Sequence, residues 1–328
     1  MNRRAGLSAI LAASAAAVFG VLSPAGAEGI ARMGFIHADS PDKEPAAVKA
    51  FWLRLRELGW IEGQNLLVVS RIADGQNGNL SKLVTEIAQS KVDVICTSSA
   101  AVALAAKEAT SKIPIVATAV GDPVGTGVIR SMARPEGNVT GVSLGSNDEL
   151  GGKFLELLQE VIPGLSTVAV ISDPDSVPNR LAIQALEGRG SRTRLQLRFI
   201  YLKRLSDLDR VFALVQRKAQ AAIVLSSPLT VTHRRAVAAM ANRYHVPTVY
   251  PMAEFVDAGG LLAYYPDQVV MFRRAAEYVD KILKGTSPKD LPFEQPSRFL
   301  LSLNLTAARA LGLKIPDSML MRANQVIQ

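Results

Sequence analysis

Short β-rich runs alternate with helical patterns along nearly the whole chain. Ala31–His37 reads as a buried strand, and residues 46–58 follow as a helix, with Phe51, Trp52, Leu55 and Leu58 at helical spacing and Gly59 as its stop. A strand over 66–72, a helix over 80–89, a strand over 92–97, a helix over 100–110 and a strand over 113–117 continue the rhythm. Parallel strands need helical crossovers, so this alternation builds a parallel sheet with helices on both faces. The expected fold class is α/β.

The rhythm restarts after Gly141. Helices are expected over 150–161, 179–189, 205–218 and 231–244, and strands over 167–172, 195–202, 221–225, 247–250 and 260–264. A helix over 269–284 ends at Gly285, a Pro-rich extended segment covers 288–296, and a strand over 298–303 with two short helices closes the chain. Two Rossmann-like lobes in series account for this pattern. A degenerate internal echo supports them. Val94-Ile95-Cys96-Thr97-Ser98-Ser99, a helix and Ile113-Pro114-Ile115-Val116 are matched by Ile223-Val224-Leu225-Ser226-Ser227, a helix and Val246-Pro247-Thr248-Val249. No linker is long or low in complexity, so the lobes pack against each other.

Composition narrows the chemistry. The 328 residues are 48% hydrophobic and 20% charged, which suits a packed globular protein and excludes a disordered one. A single cysteine, Cys96, rules out an intramolecular disulfide framework, and with only His37, His233 and His245 a histidine metal centre has little to draw on. No cofactor or metal is expected. Met1-Asn2-Arg3-Arg4, an uncharged run over 5–22, and small residues at Ala25 and Ala27 read as a signal peptide over 1–27, which directs the mature chain to the periplasm. The net charge is +8, but the positives are scattered, with modest clusters at Arg189, Arg192, Arg194, Arg198 and at Lys203, Arg204 and no interleaved aromatics. Export and this scatter argue against a nucleic-acid partner and for a solvated basic face.

Open α/β sheets bind ligands at the carboxyl ends of their strands, where helix amino ends offer free N–H groups to anions. This sequence places small polar residues there: His37-Ala38-Asp39-Ser40, Ser98-Ser99 and Gly121-Asp122 in the first half, Asp173-Pro174, Ser226-Ser227 and Tyr250 in the second. Taken singly, N-cap or turn duty accounts for each. Together they outline a ligand cleft, in which Ser98 and Ser99 suit a carboxylate, Asp122 an amine, and Tyr250 or Tyr264 an apolar body. Gly141-Val142-Ser143-Leu144-Gly145 also matches the nucleophile elbow of serine hydrolases, with His233 or His245 as candidate bases. The preceding Arg134-Pro135-Glu136-Gly137-Asn138 is polar and turn-like, whereas that elbow needs a buried strand, so a glycine-rich hinge is the stronger reading. Cys96, inside an apolar strand, reads as a small buried hydrophobe.

Four ordered motifs carry a resemblance: Gly34-Phe35-Ile36-His37-Ala38-Asp39-Ser40-Pro41, Leu58-Gly59-Trp60-Ile61-Glu62-Gly63-Gln64-Asn65, Ala119-Val120-Gly121-Asp122-Pro123-Val124-Gly125-Thr126-Gly127 and Arg134-Pro135-Glu136-Gly137-Asn138-Val139-Thr140-Gly141. Glu254-Phe255-Val256-Asp257-Ala258-Gly259-Gly260 and Lys281-Ile282-Leu283-Lys284-Gly285 extend it, so it runs from about residue 30 to the end. The chain resembles the ABC-transporter substrate-binding proteins of the type I periplasmic binding fold, which include tryptophan- and tyrosine-binding members. The resemblance implies a monomeric, non-catalytic receptor that closes like a hinge on a small solute, an amino acid or related carboxylate, and delivers it to a permease and its ATPase. It implies an N-terminal lobe of residues 28–141 and 266–298 and a C-terminal lobe of 142–265 and 299–328. It also places cleft residues near His37 to Ser40, Ser98 to Ala100 and Gly121-Asp122. Relatives often carry Thr-Pro where this chain has Ser98-Ser99-Ala100. An exported serine hydrolase using Ser143 and a ligand-binding module of a sensor are the alternatives.

Overall fold

The computed structural model describes residues 29–37, 46–72, 79–190 and 194–328. The proposed signal peptide, Asp39 and Ser40 lie outside the described residues. In the first half, strands β1 (Ala31–His37), β2 (Leu66–Ile72), β3 (Val94–Thr97), β4 (Ile115–Val120) and β5 (Val139–Ser143) alternate with helices α1 (Ala46–Glu57), α2 (Leu80–Gln89) and α3 (Ala100–Ala109). They form a parallel sheet in the order β2-β1-β3-β4-β5. Both faces are covered. Met33 and Phe35 of β1 pack with Phe51 and Leu55 of α1, while Ile36 faces Val84 and Ile87 of α2, as the two-residue period of a strand requires.

The second half contains α4 (Asn147–Val161), β6 (Thr167–Ser172), α5 (Val177–Gly190), β7 (Gln196–Tyr201), α6 (Leu208–Lys218), β8 (Ala221–Val224), α7 (Pro228–Thr232), α8 (Arg234–Arg243), β9 (Thr248–Tyr250), α9 (Ala253–Asp257) and β10 (Leu262–Pro266). After α10 (Gln268–Leu283) come β11 (Phe299–Asn304), α11 (Leu305–Ala310), α12 (Asp317–Arg322) and β12 (Gln325–Ile327). The second sheet has the order β12-β11-β10-β9-β8-β6-β7, parallel except between β10 and β11. The order β7-β6-β8-β9-β10 repeats β2-β1-β3-β4-β5, so the internal echo in the sequence is a repeated topology. Matching bonds mark it: Ile95 N donates to Pro114 O and Ala222 N to Pro247 O, both at 2.8 Å.

Helix α10 belongs to the first lobe although it follows the second, because Phe272, Ala275, Ala276, Tyr278 and Val279 enter the core beside Phe51 and Phe35. The chain therefore passes between lobes three times: from β5 to α4, from β10 to α10, and from residue 295 into β11. Strand β5 runs through Ser143, and Val142 bridges to Glu294. Four further elements differ from the sequence pattern. Strand β4 extends to Val120 across a bulge at Ala119, whose φ is +56°, which breaks the alternation a sequence can display. The helix expected over 231–244 is two, since a capping box at Ser227 starts α7 early and His233 (φ −102°, ψ 26°) interrupts the turn. The five-residue α9 and three-residue β12 are too short to carry a periodic signal.

Candidate functional site

The crossings fix which ends of the sheets face each other. Strand β5 leaves the first sheet at its carboxyl end, and β10 leaves the second sheet at its carboxyl end. Strand β11 enters antiparallel to β10, hence at that same edge. All three connections join the two sheets at the carboxyl ends of their parallel strands, so the strand ends that can bind a ligand line the space between the lobes.

These crossings are bonded to one another. Ser143 N donates to Glu294 O (2.8 Å), Glu294 N to Gly141 O (2.9 Å) and Asp267 N to Arg298 O (2.9 Å). The Arg274 guanidinium grips the Glu294 carboxylate with two hydrogen bonds of 2.8 and 2.7 Å and reaches Glu277 at 2.6 Å, while Arg54 bonds Glu277 at 2.8 Å. The hydrogen bond from Arg274 holds the Glu294 carboxyl below its ordinary value; at Glu277 burial pushes upward, but the bonds from Arg274 and Arg54 outweigh it and leave that carboxyl lowered too. A depressed carboxylate stabilises the fold above its unfolded pKa, about 4.5, and that contribution is lost as pH falls through the lower folded values. Both side chains are close to a third exposed, so screening limits the joint effect to about 1 kcal/mol. We expect the unfolding midpoint to drop more between pH 5 and pH 3 in the wild type than in Glu294→Gln. Equal slopes would remove this clamp as the source.

The first rim brings together the ends of β1, β3 and β4. His37 closes β1. Ser98 and Ala100 are half-buried, and Ser99 is the N-cap of α3, its hydroxyl accepting from Val102 N at 3.2 Å. Gly121 leads into a tight turn at Asp122, whose φ is +42°. The Asp122 carboxylate is folded onto its own loop: Oδ1 accepts from Gly125 N at 2.8 Å, and a Cβ on Gly125 would lie 2.2 Å from Oδ2. The turn itself therefore uses one oxygen of the Asp122 carboxylate.

In the second rim, Asp173 Oδ1 accepts from Asp175 N (2.9 Å), and Asp173 N donates to Asn179 Oδ1 (2.9 Å). Asn179 Nδ2 then donates to Ser226 O (2.7 Å), tying the ends of β6 and β8 together. Ser227 caps α7 through a reciprocal pair with Thr230 and is buried. Tyr250 is corrected outright: it is fully buried, its ring stacked 4.7 Å from Phe255 and packed against Gly260, so it fills the core instead of covering a ligand. Tyr264 is half-buried and stacks on Phe299 (5.3 Å) beside Gly145, at the crossings and not among the rim serines.

Sequence reasoning missed Asn179, which reads as one more polar residue at a helix start. It also missed Thr97 and Ser172. Each follows an apolar run, Val-Ile-Cys before Thr97 and Val-Ala-Val-Ile before Ser172, and each hydroxyl is buried with no hydrogen-bond partner among the described residues. A hydroxyl closing a buried strand was the available signal.

Ser143 does not have the setting of a nucleophile. It is fully buried on β5, and its hydroxyl donates to Gln295 Oε1 (3.1 Å) and accepts from Gly145 N (3.1 Å), linking the first and third crossings. Two surface concavities, of about 450 and 330 Å³, lie between the end of α4 and the loop ahead of α12 and against β7 and α6, and neither is lined by a rim residue named above. Among the described residues no group of three His, Cys, Asp or Glu side chains is placed to hold a metal ion, and no helix is long and apolar enough to cross a membrane.

Comparison with known proteins gives a consistent outcome. Residues 30–327 match the family described as ABC transporter substrate binding protein. A tyrosine-binding protein of Clostridioides difficile is 25% identical over 269 residues, which are 82% of this chain and 77% of that one. Among solved structures, a conserved domain protein from Vibrio cholerae superposes with a TM-score of 0.81 at 24% identity, covering 90% of this chain and 99% of its own. The ABC domain in complex with L-Trp from Streptococcus pneumoniae has the same TM-score and coverage at 21% identity.

Proposed function

The chain belongs to the ABC transporter substrate-binding protein family, with the type I periplasmic binding fold, and from that membership we propose that it captures an amino acid or a related small carboxylate between its lobes and delivers it to a membrane permease driven by an ATPase. It is a binding protein and not an enzyme. In this reading residues 1–27 are removed on export, and the mature chain works in the periplasm as a monomer, with lobes divided at the three crossings.

One observation carries the reading: all three crossings join the carboxyl edges of the two sheets, so a solute held there touches both lobes at once. Closure then needs only that the solute bind the closed form better than the open one. The start of α3, with Ser98 and Ser99 ahead of it, offers hydrogen-bond donors suited to a carboxylate. The tyrosine-binding relative and the L-Trp complex direct the choice within amino acids toward aromatic ones.

The test is titration calorimetry on residues 28–328 refolded free of ligand, against amino acids, aromatic acids, sugars and small carboxylates. Selective heat from an amino acid, with a more compact scattering profile at saturation, is the expected result. Binding of a sugar and no amino acid sinks the solute class, and identical scattering profiles with and without solute count against closure.

A further inference from the structure

We propose that the hydroxyls of Thr97 and Ser172, one from each lobe, take the polar head of the bound solute, a zwitterionic amino acid. This rests on the receptor reading above and adds two residues to its site. Both residues are 0% exposed, and neither hydroxyl oxygen has a hydrogen-bond partner among the described residues. A buried hydroxyl left unpaired carries a desolvation penalty, so native proteins keep few of them.

Their position points to the solute as the partner. Thr97 is the last residue of β3 and Ser172 the last of β6, both at the carboxyl edges that face each other across the crossings. Each is followed at once by a half-exposed residue, Ser98 and Asp173, so the hydroxyls lie one residue below the open rim. The polar groups around them are satisfied: Thr118 Oγ1 donates to Thr97 O at 2.9 Å, and Leu202 N donates to Ser172 O at 2.9 Å. Two other buried side-chain atoms lack partners among the described residues. Tyr250 also closes its strand, β9, but its ring is stacked on Phe255 and packed against Gly260, and Arg32 Nε belongs to the amino-terminal part of β1, away from the facing edges.

A hydroxyl both donates and accepts, so each can serve a carboxylate or an ammonium group. The two lie on different lobes, and a small solute satisfies both only when the lobes close on it. Pairing two otherwise orphaned groups in the closed form alone gives the solute the differential affinity that closure requires.

Thr97→Val and Ser172→Ala remove these hydroxyls with little change in volume. The experiment measures thermal unfolding without solute and affinity for L-tryptophan and L-tyrosine, in wild type, both variants and Thr97→Ser. The expected pattern is opposite in sign: unchanged or raised stability without solute, affinity weakened about tenfold in each variant, and affinity recovered in Thr97→Ser. Lowered stability with unchanged affinity makes the hydroxyls structural and overturns the assignment. A wild type that binds neither amino acid overturns the solute class and this assignment together, whereas wild-type binding matched by both variants overturns this assignment alone.

Discussion

Gly141→Ala should unfold at least about 6 °C below the wild type. A Cβ built on Gly141 lies 1.8 Å from Ala117 O, 2.7 Å from Ala117 C and 2.9 Å from Ala117 N. Every obstructing atom is backbone of β4, the strand that β5 pairs with at this position, so no side chain can rotate away. The residue also has a φ of +155°, which L side chains rarely adopt. The strands must part, and with them the bond from Glu294 N to Gly141 O that ties the third crossing to the first. Overpacking typically costs 1–3 kcal/mol, and a wholly backbone obstruction belongs at or above the upper end, about 3 kcal/mol. At roughly 2 °C per kcal/mol for a chain of this size, the shift follows. Gly121→Ala is the control, since nothing lies within 4 Å of its added Cβ and its φ is not positive. It should melt within a degree or two of the wild type. Equal midpoints for the two variants would falsify the close approach of β4 and β5.

The same glycine shows why the family was legible in the sequence when the solute was not. Gly141 ends a motif whose Asn138 donates to Thr110 O and Ile113 O at 2.9 and 2.8 Å, fastening the start of β5 to the loop before β4. In the Leu58-to-Asn65 motif, Gly59 and Gly63 take φ of +95° and +80°, Asn65 bonds Ile61 N and Gly59 O, and Trp60 donates to Asp280 of α10 at 2.9 Å. Gly285 ends α10 with a φ of +96°, and Thr286 N returns to Lys281 O. These motifs build turns and dock α10 on the first lobe. They are readable because local geometry restricts which residues can stand there.

The fold was readable for a related reason. Strand and helix periods are local, and Met33, Phe35 and Ile36 sort to opposite faces of β1 as their spacing requires. What stayed hidden depends on contacts between distant segments. Asp122 and Tyr250 looked like rim residues because each follows or closes a strand, and only the assembled loop and core show the first bonded into its own turn and the second packed on Phe255. Thr97 and Ser172 looked like strand residues, and only the three-dimensional accounting of hydrogen bonds leaves them over.

A solute that binds between the lobes should raise the unfolding midpoint by several degrees, the largest stabilisation expected of this protein. Anything that binds the folded chain and not the unfolded one stabilises by RT ln(1 + [L]/Kd), about 4 kcal/mol when the solute stands at 1,000 times its Kd. At roughly 2 °C per kcal/mol that is about 8 °C. The form of the dependence is as telling as its size. Each further tenfold in concentration should add about 1.4 kcal/mol without saturating, as mass action requires and weak surface effects do not. Each lobe has its own buried clusters, two around the first sheet and two around the second, so either could melt separately in the free protein. A solute gripped by both lobes couples them, and the expected trace with solute is one sharper transition at higher temperature. Differential scanning calorimetry with L-tryptophan, L-tyrosine and their D-enantiomers checks this. A rise shared by both enantiomers, or one that stops growing at low concentration, removes specific capture between the lobes; a rise confined to one L-amino acid, continuing with log concentration, is what a receptor closing on that solute must produce.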